Sequence, residues 1–481
     1  MESKIVLVGM MGSGKSEVGK KVANILGFKH VDMDEEFESN YGPIGEFFRK
    51  YGERKFRDKE SELLKRILNF EKVVVSTGGG VVERKENRAI LSGMMTFYLE
   101  APLEVLWQRV KGSKRPLATN ERSFVSLFEK RRPFYESFKM MNTQNLNSWE
   151  VAAKIVKETI KPSLNVEFDD FQRVKLRDNF SFPASRLTVI SKKAKKIWDV
   201  EGVEVEDGES LKNLNAVEKL WELFLRHHMD RNSVVNIVGG GTVTDTVGFA
   251  AQTFMRGVNF NLIPTTLLGM ADASIGGKFA VNFNGVKNLI GTFGKPLVFI
   301  NPLFSLSLED ERFKEGIVEV LKIGAVYDRE LFEYVEEKIK SIMKRNLEDV
   351  KKMLTMAVKD KLEVVKKDPF DKKFRHILNF GHTIAHAVES ASGNAISHGH
   401  AVAIGMIVES RKFSPLIAER IKKVVDELGF EEMVIPDLER WIMVDKKREN
   451  SKLLLPVVES IGKSKLKSVD VSIFCSTGVG S

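Results

Sequence analysis

The stretch Gly9-Met10-Met11-Gly12-Ser13-Gly14-Lys15-Ser16 decides how the chain begins. It follows the apolar run Ile5-Val6-Leu7-Val8 and precedes a helix-like segment from Glu17. Strand, glycine-rich loop and helix in that order make G-x-x-x-x-G-K-S a phosphate cradle. Gly12 and Gly14 let successive backbone N–H groups, that of Ser13 included, turn towards an anion. The N-terminus of the following helix adds partial positive charge. In such a loop Lys15 reaches the outer phosphates and the Ser16 hydroxyl holds Mg²⁺. The chain therefore opens on a nucleoside-triphosphate site.

Outward from that loop, 481 residues exceed one core, and two to four domains are expected. With 43% apolar and 29% charged residues the composition is globular. No apolar run of about 18 residues predicts a transmembrane helix or a membrane partner. The strand begins too early to leave room for a signal peptide, and the single cysteine, Cys475, excludes an internal disulfide and a cysteine metal cage. These features predict a cytoplasmic location. The net charge of +9 is spread along the chain with no nucleic-acid-binding motif, so no nucleic-acid partner is expected. Its cations read as a solvated face and as pockets for small anions.

Residues 1–161 alternate strands (4–8, 72–76, 95–99) with amphipathic helices, which predicts an α/β fold with a parallel sheet covered by helices. A closing helix over 149–160 stops at Pro162, placing a boundary at 161–165. A second α/β pattern runs over 162–301, with strands at 187–190, 234–238 and 260–263. Long amphipathic stretches at 328–344 and 347–366 predict a mainly helical unit over 302–481.

Beyond the phosphate loop, Asp32 and Asp34 end a strand at 29–31. They read either as a Mg²⁺ and proton-accepting pair or as two exposed turn carboxylates. Phe56-Arg57, then Thr77-Gly78-Gly79-Gly80 at a strand end, Arg115-Pro116-Leu117 in a polar lid-like stretch (111–122), and Arg131-Arg132-Pro133-Phe134-Tyr135 at a helix start follow in order. Residues 1–161 resemble shikimate kinase on these motifs. The resemblance implies ATP and Mg²⁺ as ligands, with Lys15, Asp34 and Arg115 in catalysis and Asp32 beside the ion. It implies Arg109 near the adenine, and shikimate held by Asp34, Arg57, Gly79, Gly80 and Arg131. Arg132 competes with Arg131 for that role; register with Tyr135 favours Arg131.

In the second half, the strand at 234–238 runs into Gly239-Gly240-Gly241-Thr242-Val243-Thr244-Asp245, the pattern of a pyrophosphate site. Five of the chain's 8 histidines fall between His376 and His400, with His382 and His386 at i, i+4 and His398-Gly399-His400 in a turn before a helix. With Glu319 on a helix-like segment, two imidazoles and a carboxylate make a catalytic divalent site. Residues 187–470 resemble 3-dehydroquinate synthase through GGGTVTD, RGVNF, IPTTLL, ADASIGGK, GVKNLIG, EGIVEVLK, RHILNFGHTIAHA and HGHAVAIGM.

That resemblance implies Glu319, His382 and His398 as ligands of Zn²⁺ or Co²⁺, and NAD⁺ contacts from Glu209, Lys212, Gly240, Gly241, Asp245, Thr265 and Thr266, with Lys278 and Lys287 adjoining. It assigns Arg256, Asp272, Lys278, Lys287, Asn288, Lys322, Lys361, Arg375, Asn379 and His386, with one lysine of Lys446-Lys447 (Lys447 the favoured one), to substrate binding and chemistry. The family usually carries an acidic residue where His400 stands, and its acidic run before Arg375 is here Asp368-Pro369-Phe370-Asp371. The expected function is bifunctional: ATP-dependent phosphorylation of shikimate, and NAD- and metal-dependent cyclisation of 3-deoxy-arabino-heptulosonate 7-phosphate. A homodimer through the second half is expected. The alternatives for that half are another sugar phosphate cyclase or a metal-dependent polyol dehydrogenase.

Overall fold

The computed structural model describes residues 4–112, 120–393, 395–431, 433, 441–442 and 452–474. The chain divides into two compact units, Met1–Lys161 with Lys344–Leu347, and Pro162–Met343 with Glu348–Ser481.

The first unit runs β1 (Lys4–Val8), α1 (Lys15–Leu26), β2 (Lys29–Asp32), α2 (Met33–Tyr41), α3 (Ile44–Ile67), β3 (Val73–Ser76), α4 (Lys85–Ser92), β4 (Met95–Glu100), α5 (Leu103–Val110), α6 (Glu121–Tyr135), β5 (Lys139–Asn142) and α7 (Ser148–Thr159). Its sheet is parallel throughout, in the order β2-β3-β1-β4-β5. The central strands KIVLV and VVVS are almost wholly buried, as strands covered by helices on both faces must be. Val6, Val8, Val73 and Val75 pack with Phe37, Phe56, Phe124 and Tyr135 in one core. The order reverses at β1, so the loop after β1 opens at the sheet's switch point, where ligands of such folds bind. Arg131 lies towards the C-terminal end of α6 and not at a helix start, with Pro133 inside the helix. The Asn120–Ser123 capping box starts that helix well upstream. The sequence reading also missed β5, an edge strand in which only Met141 is buried.

The second unit runs β6 (Asn165–Asp169), β7 (Arg173–Arg177), β8 (Leu187–Ser191), α8 (Lys192–Trp198), β9 (Val203–Val205), α9 (Leu214–Arg226), β10 (Val234–Gly239), α10 (Gly241–Thr253), β11 (Asn259–Pro264), β12 (Lys278–Phe283), β13 (Val286–Phe293) and β14 (Leu297–Ile300). There follow α11 (Asp310–Val326), α12 (Arg329–Met343), α13 (Leu347–Lys367), α14 (His382–Ala391), α15 (His398–Phe413), α16 (Pro415–Glu427), β15 (Lys452–Ser460) and β16 (Lys463–Asp470). The main sheet has the order β6-β7-β14-β11-β10-β8-β9 and is parallel except for the β6–β7 pair. β12 and β13 form an antiparallel hairpin turned by Asn284 (φ 53°) and Gly285 (φ 79°), the backbone that an Asn-Gly hairpin turn requires.

His398 opens α15 directly, where the sequence predicted a turn. The mainly helical stretch from Pro302 also holds the β15–β16 hairpin, which the sequence reading did not place. No residue of β16 is buried, so apolar periodicity carries no signal there. Among the described residues no helix is long and apolar enough to cross a membrane.

Candidate active sites

In the first unit, Gly9, Gly12 and Gly14 all take positive φ (146°, 86° and 85°), which lets the loop wrap inward before α1. Lys15 donates to the carbonyls of Gly9 (2.9 Å) and Met10 (3.0 Å), and so lies folded over the loop that would cradle an anion. The Ser16 hydroxyl donates to Asp32, whose other oxygen caps α2 by accepting from Asp34 N at 2.9 Å. Hydroxyl and carboxylate thus sit together at the ends of β1 and β2. Arg109 donates to the Gly12 carbonyl at 3.0 Å, on the outer side of the loop.

Beside this loop a cavity of about 330 Å³ is lined by Asp34, Arg57, Glu60, Gly79, Gly80 and Arg131, among others. Two of the three glycines here leave no room for a side chain. A Cβ on Gly80 would collide with the Arg57 guanidinium, and one on Gly78 would come within 2.8 Å of Asp34 Oδ1. Arg57 pairs with Glu60 at 2.8 Å. Arg131 is 1% exposed, whereas Arg132 lies on the surface and pairs with Glu136 at 2.7 Å. Tyr135 donates to the Gly79 carbonyl, tying α6 to the glycine loop. Arg115 lies outside the described residues.

In the second unit, α10 starts just past the end of β10 and presents its first N–H groups at Gly240-Gly241. The Thr265 N–H donates to Gly239 O at 2.9 Å, and Thr266 Oγ1 accepts from Gly269 N at 3.1 Å, so the end of β11 adjoins this turn. Lys212 donates to Asp245 Oδ2 (2.7 Å) and Asn288 Oδ1 (2.5 Å). Burial pushes the Asp245 carboxyl up to about 6, against the pull of Lys212. Glu209 accepts from Asn282 Nδ2 at 2.7 Å.

A cavity of about 570 Å³ brings together Asp245, Asp272, Lys278, Asn288, Lys322, Lys361, Arg375, Asn379 and His382. Asp272 accepts from Lys322 at 3.0 Å and from Lys361. Those two ammonium groups hold its carboxyl well below the usual range in spite of burial. Burial, with Arg375 and Lys322 nearby, brings Lys361 down to about 8. Arg375 donates to Gly276 O at 3.0 Å. Asp368 fixes the preceding turn by accepting from the backbone N–H groups of Lys372, Lys373 and Arg375.

Glu319 from α11, His382 from α14 and His398 from α15 each point one ligand atom into a single group, all within 4.8 Å of one another. Glu319 Oε1 lies 3.4 Å from His398 Nε2 and 3.8 Å from His382 Nε2. That oxygen is buried without a hydrogen-bond partner. Burial and the Lys322 charge push His382 down to about 3, so it is a neutral imidazole. Burial also opposes charge on His398, but Glu319 and Glu389 outweigh it and draw the imidazole up to about 10. A buried, unsatisfied carboxylate oxygen between two imidazole nitrogens is what a divalent cation satisfies.

The remaining assigned residues are more scattered. His386 is exposed on α14, its ring 6.2 Å from that of His382. Lys287 is exposed on β13. Arg256 is exposed at φ 69° and does not line the cavity. Lys447 lies outside the described residues. The other histidines of the dense window serve elsewhere. His376 bonds Asp371 O at 2.9 Å, and His400 stacks on Phe430 and bonds Glu431 O at 2.7 Å.

Three family models match the chain: shikimate kinase over residues 11–160, the 3-dehydroquinate synthase N-terminal domain over 202–315, and its C-terminal domain over 316–448. A bifunctional shikimate kinase/3-dehydroquinate synthase from Thermotoga maritima is 38% identical, over 97% of this chain and 98% of its own. This chain belongs to the bifunctional shikimate kinase/3-dehydroquinate synthase family. The 3-dehydroquinate synthase of Sulfolobus acidocaldarius is 37% identical over 56% of this chain and 81% of its own. Among solved structures, a 2-epi-5-epi-valiolone synthase from Streptomyces hygroscopicus with NAD⁺ and Zn²⁺ bound covers 65% of this chain and 97% of its own, with a TM-score of 0.59 and 25% identity.

The bifunctional enzyme carries three carboxylates at its two sites that the sequence reading missed. In the kinase unit Glu60 sits one turn beyond Arg57, a spacing that alone would have suggested the pair. In the synthase unit Glu389 accepts from His398 Nδ1 at 2.9 Å; it lies two turns beyond His382 on the same helix face, also a readable spacing. Glu83, which meets Arg131 of the kinase unit, is remote in sequence and has no such signal.

Proposed function

We propose that the kinase unit transfers the γ-phosphoryl group of ATP to the 3-hydroxyl of shikimate. The single observation that carries this is the cavity beside the phosphate loop, which sets two buried guanidiniums, Arg57 and Arg131, beside the Asp34 carboxylate within one small volume. Arg57 and Arg131 are suited to fork the substrate carboxylate. Asp34 is suited to orient and accept a proton from the attacking hydroxyl. Lys15 is released from its loop carbonyls to the transferring phosphate, and Gly12, Ser13 and Gly14 supply backbone N–H groups. Ser16 and Asp32 would hold Mg²⁺, which neutralises charge on the phosphates. Arg115 and Arg109 are assigned to the lid and the adenine by resemblance to the family.

For the synthase unit we propose conversion of 3-deoxy-arabino-heptulosonate 7-phosphate to 3-dehydroquinate with release of phosphate. The carrying observation is one cavity lined by Lys278, Lys322, Lys361, Arg375 and His382, the last of which groups with Glu319 and His398 at its wall. A divalent ion held by that set would acidify the hydroxyl at the carbon to be oxidised. NAD⁺, held through Gly240, Gly241, Asp245, Lys212 and the threonines 265 and 266, would accept a hydride and give it back. Arg375, Lys278 and Asn288 bind the anionic ends of the substrate. Lys361, near 8, is able to give or take a proton close to neutrality. Asp272 orients both Lys322 and Lys361. The apolar residues Phe283, Val286, Leu289 and Phe293, exposed on the β12–β13 hairpin, support a homodimer through this unit. The cytoplasm is the compartment proposed.

The test is incubation with heptulosonate phosphate, catalytic NAD⁺ and Zn²⁺ or Co²⁺. One phosphate is expected per dehydroquinate, with transient NADH and no net accumulation. Stoichiometric NADH would instead establish a dehydrogenase, and the cationic cavity argues against that outcome. The likeness to a valiolone synthase makes a different cyclase the second reading; a carbocycle formed faster from another sugar phosphate would establish it.

A further inference from the structure

Glu83 ends the short turn that follows the triple glycine, and its carboxylate is where two arginines from different helices meet. Its Oε1 accepts from Arg131 Nε (2.9 Å) and Nη2 (2.6 Å) and from Arg57 Nη2 (3.3 Å). Its Oε2 accepts from Lys130 at 2.9 Å. Arg57 comes from α3 and Arg131 from α6, and both are buried. Arg57 also has Glu60 and, at 3.4 Å, Glu53. Glu83 does not line the cavity that both arginines line, so it meets them from outside it. It uses the Nε–Nη2 edge of Arg131 and leaves Nη1 beside Gly79, 3.5 Å from where a Cβ would stand.

We infer that Glu83 is a positioning residue for the kinase reaction: one carboxylate oxygen sets the spacing of the two guanidiniums that grip the substrate carboxylate. Two buried cations brought together for one small anion repel each other when that anion is absent. A fixed carboxylate between them, on the side away from the substrate, offsets the repulsion and holds each fork at a set angle. Binding then needs no rearrangement of either arginine. The role is absent for a ligand that has no carboxylate to grip.

This inference rests on the assignment of the cavity to shikimate, and the unaltered chain tests that assignment first by its affinity for shikimate. In the full chain, Glu83→Ala is expected to weaken shikimate binding by roughly ten- to hundredfold, the size of one lost charge-assisted contact. ATP affinity and dehydroquinate synthesis are expected to stay within about twofold. Glu83→Gln, which keeps an acceptor oxygen but no charge, falls between. Calorimetric titration with shikimate and with its carboxamide supplies the decisive reading, because the penalty should shrink severalfold for the neutral analogue. Equal penalties for the two ligands, an equal loss of ATP affinity, unchanged shikimate binding, or tighter binding in either variant each overturn the inference. Should Glu83→Ala lose dehydroquinate synthesis through misfolding, the near-isosteric Glu83→Gln carries the same comparison.

Discussion

Arg131 and Arg132 are neighbours in sequence with opposite surroundings, since one lines a cavity and the other pairs with Glu136 at the surface. Arg131→Ala is therefore expected to raise the KM for shikimate roughly ten- to hundredfold with little change for ATP. Arg132→Ala should leave both within about twofold, as exposed pairs contribute little. Steady-state kinetics with each substrate varied in turn checks both. A second residue, Asp360, is buried on α13, and its Oδ2 lacks a partner. Burial and the neighbouring carboxyl of Asp328 push it from 3.8 up to about 8. Between those values the folded chain holds a proton that the unfolded chain has released, so this group's contribution to stability falls as pH rises through the window. Asp360→Asn removes that titration. Its melting temperature should exceed the parent's by on the order of 2 °C at pH 8, with a smaller gain at pH 5. A larger gain at pH 5 would reverse the sign and sink the argument.

At the scale of elements, the three proposed metal ligands come from three helices, and a fourth group, Glu389, joins α14 to α15 through His398. Carboxylates that orient a ligating histidine commonly govern affinity by 10- to 100-fold. Glu389→Gln should weaken Zn²⁺ binding by about that factor, measured by competition with a chromogenic chelator, with the kinase rate unchanged. Undiminished affinity would show that Glu319 alone orients His398. These elements were legible in the sequence to different degrees. β1, the phosphate loop and α1 were plain, because one apolar run, three glycines and a lysine state both geometry and chemistry. The pairing of His382 with His398 across two helices was reached only through family resemblance, since spacing alone joined His382 to His386, which points outward. β5 and β16 escaped because edge strands with little buried surface carry no periodic signal. Glu83 escaped because its partners are distant in the chain and near only in the fold.

For the whole molecule, the residue sets proposed for the two reactions line separate cavities within separate units. They are also not consecutive steps, so the product of one is not the substrate of the other. Lys15→Ala, which removes the cation of the phosphate loop, should abolish shikimate phosphorylation and leave dehydroquinate formation near its full rate. Both rates, measured on one folded preparation, check this; loss of both would mean that the units depend on each other for activity.

Gly80 and Gly276 share one feature across that divide. Each supports an arginine so closely that a methyl group would displace the guanidinium of Arg57 or of Arg375. The displaced atoms are side-chain ends, so at Gly80 the lesion falls on function before it falls on the fold, while at Gly276 a φ of 103° adds backbone strain to the lost guanidinium site. In a cell this becomes a matter of genetics. An allele with Gly80→Ala and an allele with Gly276→Ala would each leave a strain that lacks the native gene dependent on aromatic supplements. Placed together in that strain, the two alleles should complement, each supplying the step that the other has lost.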